Sequence, residues 1–282
     1  MSAETDQLSL RDFHRLASFI EGYSGIKMPH AKKTMVEGRL RRRARALGLD
    51  TLGEYCRSLF EDGALVGEAV NLIDAVTTNK TDFFRELPHF RYLIDQAVPE
   101  LMGGDVRAGL DRPLKVWSAA CSNGAEPYSL AMALDDFGSP IRGFHFSVLA
   151  TDICTEVLTT ATEAIYPLDM ISPVPTAMCR RYILKCRDPD RPCFRISPRI
   201  RSMVQFGRLN LMDDRYPIED DWDVIFCRNI LIYFDKATQE AVVRRLTEHL
   251  RPGGYLFVGH TESVAGFTLP LQPVANSVFR KK

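Results

Sequence analysis

Two hydrophobic periodicities divide the chain. Over residues 8–75 apolar side chains recur at helical spacing. Leu10, Phe13, Leu16, Ala17 and Ile20 form one stripe, and Tyr55, Leu59, Val66, Val70 and Ile73 another. Gly22, Gly25 and Pro29 separate the first helix from the next. From Leu114 the pattern changes. Short apolar runs at 114–119, 145–151, 203–208, 222–227 and 254–259 read as buried strands. They alternate with periodic segments of helix length at 125–137, 154–163 and 236–250. This alternation predicts an α/β fold, a doubly wound, mostly parallel sheet with helices on both faces. Pro252-Gly253-Gly254 is expected to stop the last helix, and Leu271 to Arg280 to form a final extended pair.

Two stretches break the rhythm. Residues 77–90 form a polar hinge leading into a short helix, with Asn79 or Thr81 as its expected N-cap. The chain is therefore expected to divide into a helical unit (1–76), a hinge (77–90) and an α/β unit (91–282). Residues 184–202 hold three prolines and no helical period, and read as a small antiparallel β insertion at the rim.

Composition narrows the class. The chain has 282 residues, 45% hydrophobic and 26% charged, with a formal net charge of zero, ordinary for a globular protein. No apolar run approaches the roughly 18 residues of a membrane helix, and the polar, acidic start does not read as a signal peptide. Seven cysteines without a paired framework suggest reduced thiols and a cytoplasmic setting. Cys179, Cys186 and Cys193 lack the CxxC spacing or nearby histidine of a metal site, and are expected to be ordinary thiols. No metal is expected.

Candidate chemistry falls at the ends of the strands. Val116 to Ala120, the small-residue turn Cys121 to Gly124 and the helical pattern from Ala125 form a strand–turn–helix unit of the kind that opens nucleotide-binding sheets. Only Gly124 is present of the three glycines of a dinucleotide fingerprint, which points to a different adenosine ligand. Asp152 follows the second strand, where it could accept bonds from two ribose hydroxyls or cap the next helix. Asn210-Leu211 follows the third, a polar group beside an apolar one that suits an adenine ring or a plain turn. Arg228-Asn229 follows the fourth, near where a transferred group would sit. Glu126 begins a helix, matching its dipole or binding a ligand ammonium. In the hinge, Arg85 beside Phe83-Phe84 could orient a carboxylate against an aromatic wall.

These elements together resemble the bacterial chemoreceptor glutamate O-methyltransferases of the CheR type. The matching motifs are Thr77-Thr-Asn-Lys-Thr-Asp-Phe-Phe-Arg85, Ala120-Cys-Ser-Asn-Gly-Ala-Glu-Pro-Tyr-Ser129, Ala150-Thr-Asp152, Phe226-Cys-Arg-Asn-Ile-Leu-Ile-Tyr-Phe-Asp235 and Pro252-Gly-Gly-Tyr-Leu-Phe-Val-Gly-His260. The resemblance implies a Rossmann-like methyltransferase fold with a helical N-terminal domain, and S-adenosylmethionine as methyl donor with S-adenosylhomocysteine as product. It implies cofactor contacts from Asn79, Thr81, Arg85, Glu126, Asp152, Asn210, Leu211, Arg228 and Asn229. Because a glutamate side chain is already ionised at neutral pH, with an ordinary pKa of about 4.3, no general base is needed. Arg85 and Tyr233 are the candidates for positioning the acceptor carboxylate.

Charge supplies the partner reading. Residues 32–45 carry Lys32, Lys33, Arg39, Arg41, Arg42, Arg43 and Arg45 against Glu37 alone. On a helix Arg39, Arg42 and Arg43 share one face, and the resemblance favours an acidic receptor helix over nucleic acid as their partner. The insertion resembles a β-subdomain that in some family members captures a C-terminal receptor peptide by strand addition. A monomer without membrane insertion is expected.

Overall fold

A computed structural model of the chain describes residues 6–188, 190 and 192–282. Four helices open it: α1 (Leu10–Ser24), α2 (Lys33–Ala46), α3 (Leu52–Phe60) and α4 (Leu65–Val76). Their ends are set locally. Ser9 Oγ accepts from Asp12 N at the start of α1, and Gly25, with φ of 73°, ends it. Thr51 and Glu54 form a capping box at α3. The expected second stripe spans two helices, not one. The turn after Phe60 rotates α4, so Val66 is 91% exposed while Leu72 and Ile73 are buried.

Short helices α5 (Leu87–Tyr92) and α6 (Val98–Met102) lead to the α/β unit. It comprises β1 (Leu114–Ala119), α7 (Ala125–Gly138), β2 (Phe146–Asp152), α8 (Thr155–Glu163), β3 (Ile165–Pro167), α9 (Thr176–Tyr182), β4 (Ile183–Lys185), β5 (Cys193–Ile196), α10 (Pro198–Arg201), β6 (Val204–Arg208), β7 (Trp222–Cys227), α11 (Lys236–His249), β8 (Leu250–Val258), β9 (Leu271–Ala275) and β10 (Val278–Lys281). The main sheet has the order β6-β2-β1-β7-β8-β10-β9. Its first five strands are parallel, β10 runs antiparallel to β8, and β9 runs antiparallel to β10. The chain moves outward from β1 through β2 to β6 and returns to the other side of β1 at β7. That reversal is where an open α/β sheet leaves a crevice beyond its strand ends.

Both faces of the sheet are covered, so its strands read as near-continuous apolar runs. Trp117, Ile225, Leu256 and Val258 share one core with α1–α4 and α11. Val116, Val224, Phe226 and Phe257 face the other core with α7 and the small sheet. The N-terminal helices thus share a continuous core with the sheet.

Three local expectations are corrected. The small sheet has the order β3-β5-β4 and takes its first strand from Ile165–Pro167, upstream of residues 184–202; three residues are too few to show a period. Pro198 sits in the first turn of the short α10, where a missing N–H costs nothing, so this proline begins a helix. Pro252-Gly253-Gly254 lies inside β8, which starts at Leu250, and the register slip between Trp222 and Val224 absorbs it. Among the described residues no helix is long and apolar enough to cross a membrane.

One partly buried pair ties the helical unit together. Arg43 donates to both oxygens of Glu68, which also accepts from Tyr55 and Asn71. Glu68→Ala would strand these donors, and urea denaturation should show a loss of about 2 kcal/mol or more. Arg42→Ala, on an exposed position of the same helix, should stay within about 0.5 kcal/mol of wild type.

Candidate active site

The carboxyl ends of β1, β2, β6 and β7 open into a cavity of about 460 Å³. Every residue assigned to a ligand from the sequence lines it: Asn79, Thr81, Arg85, Glu126, Asp152, Asn210, Leu211, Arg228, Asn229 and Tyr233. The turn after β1 makes the approach close. Gly124 has φ of 90°, and a Cβ there would meet Ala161 Cβ at 2.9 Å and Tyr166 Oη at 3.0 Å, so glycine is required.

Asp152 is buried beneath this turn. Its carboxylate accepts from Ser122 N at 2.7 Å and from Cys154 N at 3.0 Å. Burial raises its pKa, and those backbone bonds only partly offset the rise. The cap reading is not met: α8 begins at Thr155, whose N–H donates to Asp74 Oδ1 at 2.9 Å, while Asp152 bonds the backbone before the helix. Glu126, in the first turn of α7, accepts from Ser118 Oγ at 2.8 Å and Arg228 Nη1 at 3.0 Å. Burial raises it too, against the pull of Arg228.

Arg228 is the hub. Its guanidinium lies beside the adjacent rings of Phe90 and Phe226, 5.8 and 5.7 Å from their centroids. It bonds Glu126, Glu86 Oε2 at 2.9 Å and the carbonyl of Arg85 at 2.6 Å. Burial works against the ionised form of Glu86, but the bonds from Arg228 and from Asn229 Nδ2 outweigh it and hold its pKa low. Asn229 sits at φ of 60°. Its N–H donates to Glu262, which also accepts from Gly259 N and Ile232 N.

Asn210 is a turn residue as well as a wall. Its Oδ1 accepts from Met212 N at 3.0 Å, and its Nδ2 donates to the carbonyl of Tyr23 at 2.7 Å, docking the end of α1. In the hinge, Asn79 and Thr81 cap no helix, correcting the expectation. Phe84 and Glu86 have φ of 49° and 58°, and helix begins only at Leu87. Asn79 instead accepts Ser122 Oγ on its carbonyl, and its amide reaches Thr77 Oγ1. Phe83 and Phe84 are core residues, so they form no aromatic wall beside Arg85. The guanidinium of Arg85 donates to Lys80 O, and among the described residues it meets no carboxylate. Tyr233 lies across the cavity with the ammonium of Lys32 5.6 Å from its ring centroid.

The basic stripe divides into engaged and exposed arginines. Arg39 donates to the carbonyls of Val76 and Thr77, fastening the end of α4, and Arg43 is paired with Glu68. Arg42 is exposed.

Sequence reasoning missed Glu86, Glu262 and the wall supplied by Ser24, Ile26, Met28, Lys32 and Met35 of α1, α2 and the segment between them. Glu262 follows a strand end, a signal that was available. Glu86 gives none, because its role depends on a left-handed turn.

Two family models match in order: the all-alpha domain of CheR methyltransferases over residues 11–77, and their SAM binding domain over 79–279. The chain belongs to the CheR methyltransferase family. A chemotaxis protein methyltransferase of Salmonella typhimurium is 40% identical over 261 residues, 92% of this chain and 86% of that protein. That of Escherichia coli is 39% identical, covering 92% and 87%. Chemotaxis protein methyltransferase 2 of Pseudomonas aeruginosa is 35% identical, covering 95% and 92%. Like the family, this chain is an S-adenosylmethionine-dependent methyltransferase, with the sheet, helical N-terminal unit and small antiparallel sheet expected from the sequence.

His89 supplies a pH test of the packing beside this site. Its ring is buried against Phe257 and His260, and burial, with Arg228 and His260 nearby, lowers its pKa to about 4. Below its ordinary value of 6.5 the unfolded chain takes a proton there that the folded chain refuses. Stability should fall as pH drops from 6.5 towards 4, as measured by urea midpoints, and His89→Gln should flatten that slope.

Proposed function

We propose that the chain transfers a methyl group from S-adenosylmethionine to side-chain carboxylates of specific glutamates on cytoplasmic chemoreceptor helices. The products are glutamate methyl esters and S-adenosylhomocysteine, and the process served is chemotactic adaptation. The carrying observation is the charge layout of one cavity. Asp152 and Glu126, both raised by burial, stand on the sheet side, while Arg85 has no carboxylate partner among the described residues. The first pair suits a cationic ligand, whose charge would relieve both carboxylates. The second suits an anionic acceptor.

When bound, the cofactor supplies an electrophilic methyl on a sulfonium. The residues present fit it. Asp152 would take the ribose hydroxyls, since its oxygens retain lone pairs beyond the two backbone bonds. Glu126 would take the ammonium. Leu211 and Asn210 would flank the adenine, and Asn79, Thr81, Arg228 and Asn229 would close the remaining wall. Arg85 and Tyr233 would align the acceptor carboxylate. No side chain need remove a proton, because the acceptor arrives ionised, so alignment and exclusion of water carry the rate.

On the partner side, residues 1–76 would recognise the receptor, residues 77–90 would join that unit to the cofactor site, and 91–282 would carry the chemistry. Arg42 offers the exposed charge of the stripe for an acidic helix, with Arg39 and Arg43 holding its scaffold. The open edges of the small sheet would accept an extended receptor peptide. A cytoplasmic monomer meets these needs.

Incubation with methyl-labelled S-adenosylmethionine and receptor membranes should give label released as methanol by mild base; base-stable label would overturn ester formation. Asp152→Asn should weaken cofactor binding at least about tenfold by calorimetry. Arg85→Ala should lower kcat about a hundredfold or more while the melting temperature holds.

A further inference from the structure

The start of α8 is held from outside its own segment. Cys154 precedes Thr155 and supplies no capping side-chain bond. Asp74, buried near the end of α4, takes that place. Its Oδ1 accepts from Thr155 N at 2.9 Å, and its Oδ2 accepts from Thr155 Oγ1. A carboxylate there satisfies an N–H that the helix leaves without a partner and complements the helix dipole. The preceding N–H, that of Cys154, donates to Asp152 Oδ1 at 3.0 Å. Consecutive backbone groups are thus held by two carboxylates, one from the helical unit and one from the sheet. The surroundings leave the turn little room. Cys154 is buried, with its Sγ 3.5 Å from Asn79 Nδ2. Thr77 Oγ1 accepts from Asn79 and donates to the carbonyl of Asp74 at 3.1 Å. Asp74 itself does not line the cavity.

We propose that Asp74 is a positioning residue for the ribose of the cofactor: it fixes the turn at 152–155 that aims Asp152. The inference rests on Asp152 as the ribose contact. The Asp152 carboxylate is oriented by Ser122 N and Cys154 N. With Thr155 released, Cys154 N would shift and the carboxylate would follow it, and a contact held by supporting bonds loses affinity when that support goes. The helical unit then acts on cofactor affinity through one bonded chain, from α4 through Thr155 and Cys154 to Asp152. Donor and product share the ribose, so both should feel the loss equally. A direct effect of the Asp74 charge would differ, because only the donor carries a sulfonium.

Calorimetry on the full-length protein, with S-adenosylmethionine and separately with S-adenosylhomocysteine, tests the role. Asp74→Ala should weaken both about tenfold, the size of a lost cap expressed as affinity. With receptor membranes, its KM for S-adenosylmethionine should rise while kcat stays within about twofold, since the ribose takes no part in the reaction. Asp74→Asn keeps an acceptor for Thr155 N and should bind both ligands within about twofold of wild type. Asp74→Ala added to Asp152→Asn should weaken binding no further than Asp152→Asn alone, because both act on one contact. Should Asp74→Ala fail to fold, Thr155→Val removes only the hydroxyl bond and should weaken both ligands about threefold. With Asp152→Asn weak as expected, four results would each overturn the role: wild-type affinity in Asp74→Ala, or in Thr155→Val where that variant replaces it; a loss confined to S-adenosylmethionine; an Asp74→Asn as weak as Asp74→Ala; or additive losses in the double variant. Wild-type affinity in Asp152→Asn would instead overturn the ribose assignment, and this role with it.

Discussion

A single buried cation organises the site. Taking a guanidinium out of water costs several kcal/mol unless it is matched by close, well-oriented acceptors. Arg228 is matched by two carboxylates and a carbonyl from two places: Glu126 from the start of α7, and Glu86 with the Arg85 carbonyl from the hinge. Arg228 itself follows β7. Three segments distant in sequence must therefore meet at one point, and the cavity is the space left beside it. Glu86 extends the constraint by holding Asn229, and Glu262 holds the backbone beyond.

The local backbone is bent to make this meeting possible. Phe84, Glu86, Ala120, Ser122 and Asn229 all have positive φ, a conformation that side chains other than glycine adopt at some cost. All five lie in the hinge or the loops around the cavity. The buried ion cluster and the two aromatic-rich cores supply the stabilisation that maintains them.

Much of this was legible in the sequence, and the reason is burial. β1 and β7 are covered on both faces, so their apolar runs matched the strands at 114–119 and 222–227 to the residue. The polar groups at strand ends stood out against those runs, and all of them reach the cavity wall. What could not be read depends on short or left-handed segments. β3 is too brief to show a period, and Glu86 looks like any helix-start carboxylate. The arginine stripe showed its face but not its partners: Arg39 and Arg43 are engaged by α4, whose position follows from tertiary packing. The hinge looked like a capped helix because Asn and Thr favour caps. Here they line a pocket instead.

The wall formed by Ser24, Ile26, Met28, Lys32 and Met35 carries one more consequence. A ligand that touches both the sheet and these helices binds their docked arrangement better than any opened one. Occupancy and interdomain closure are then linked, and the linkage is reciprocal. A macromolecule gripping the helical layer would tune affinity for a small molecule at the strand ends, and the small molecule would in turn stiffen the surface being gripped.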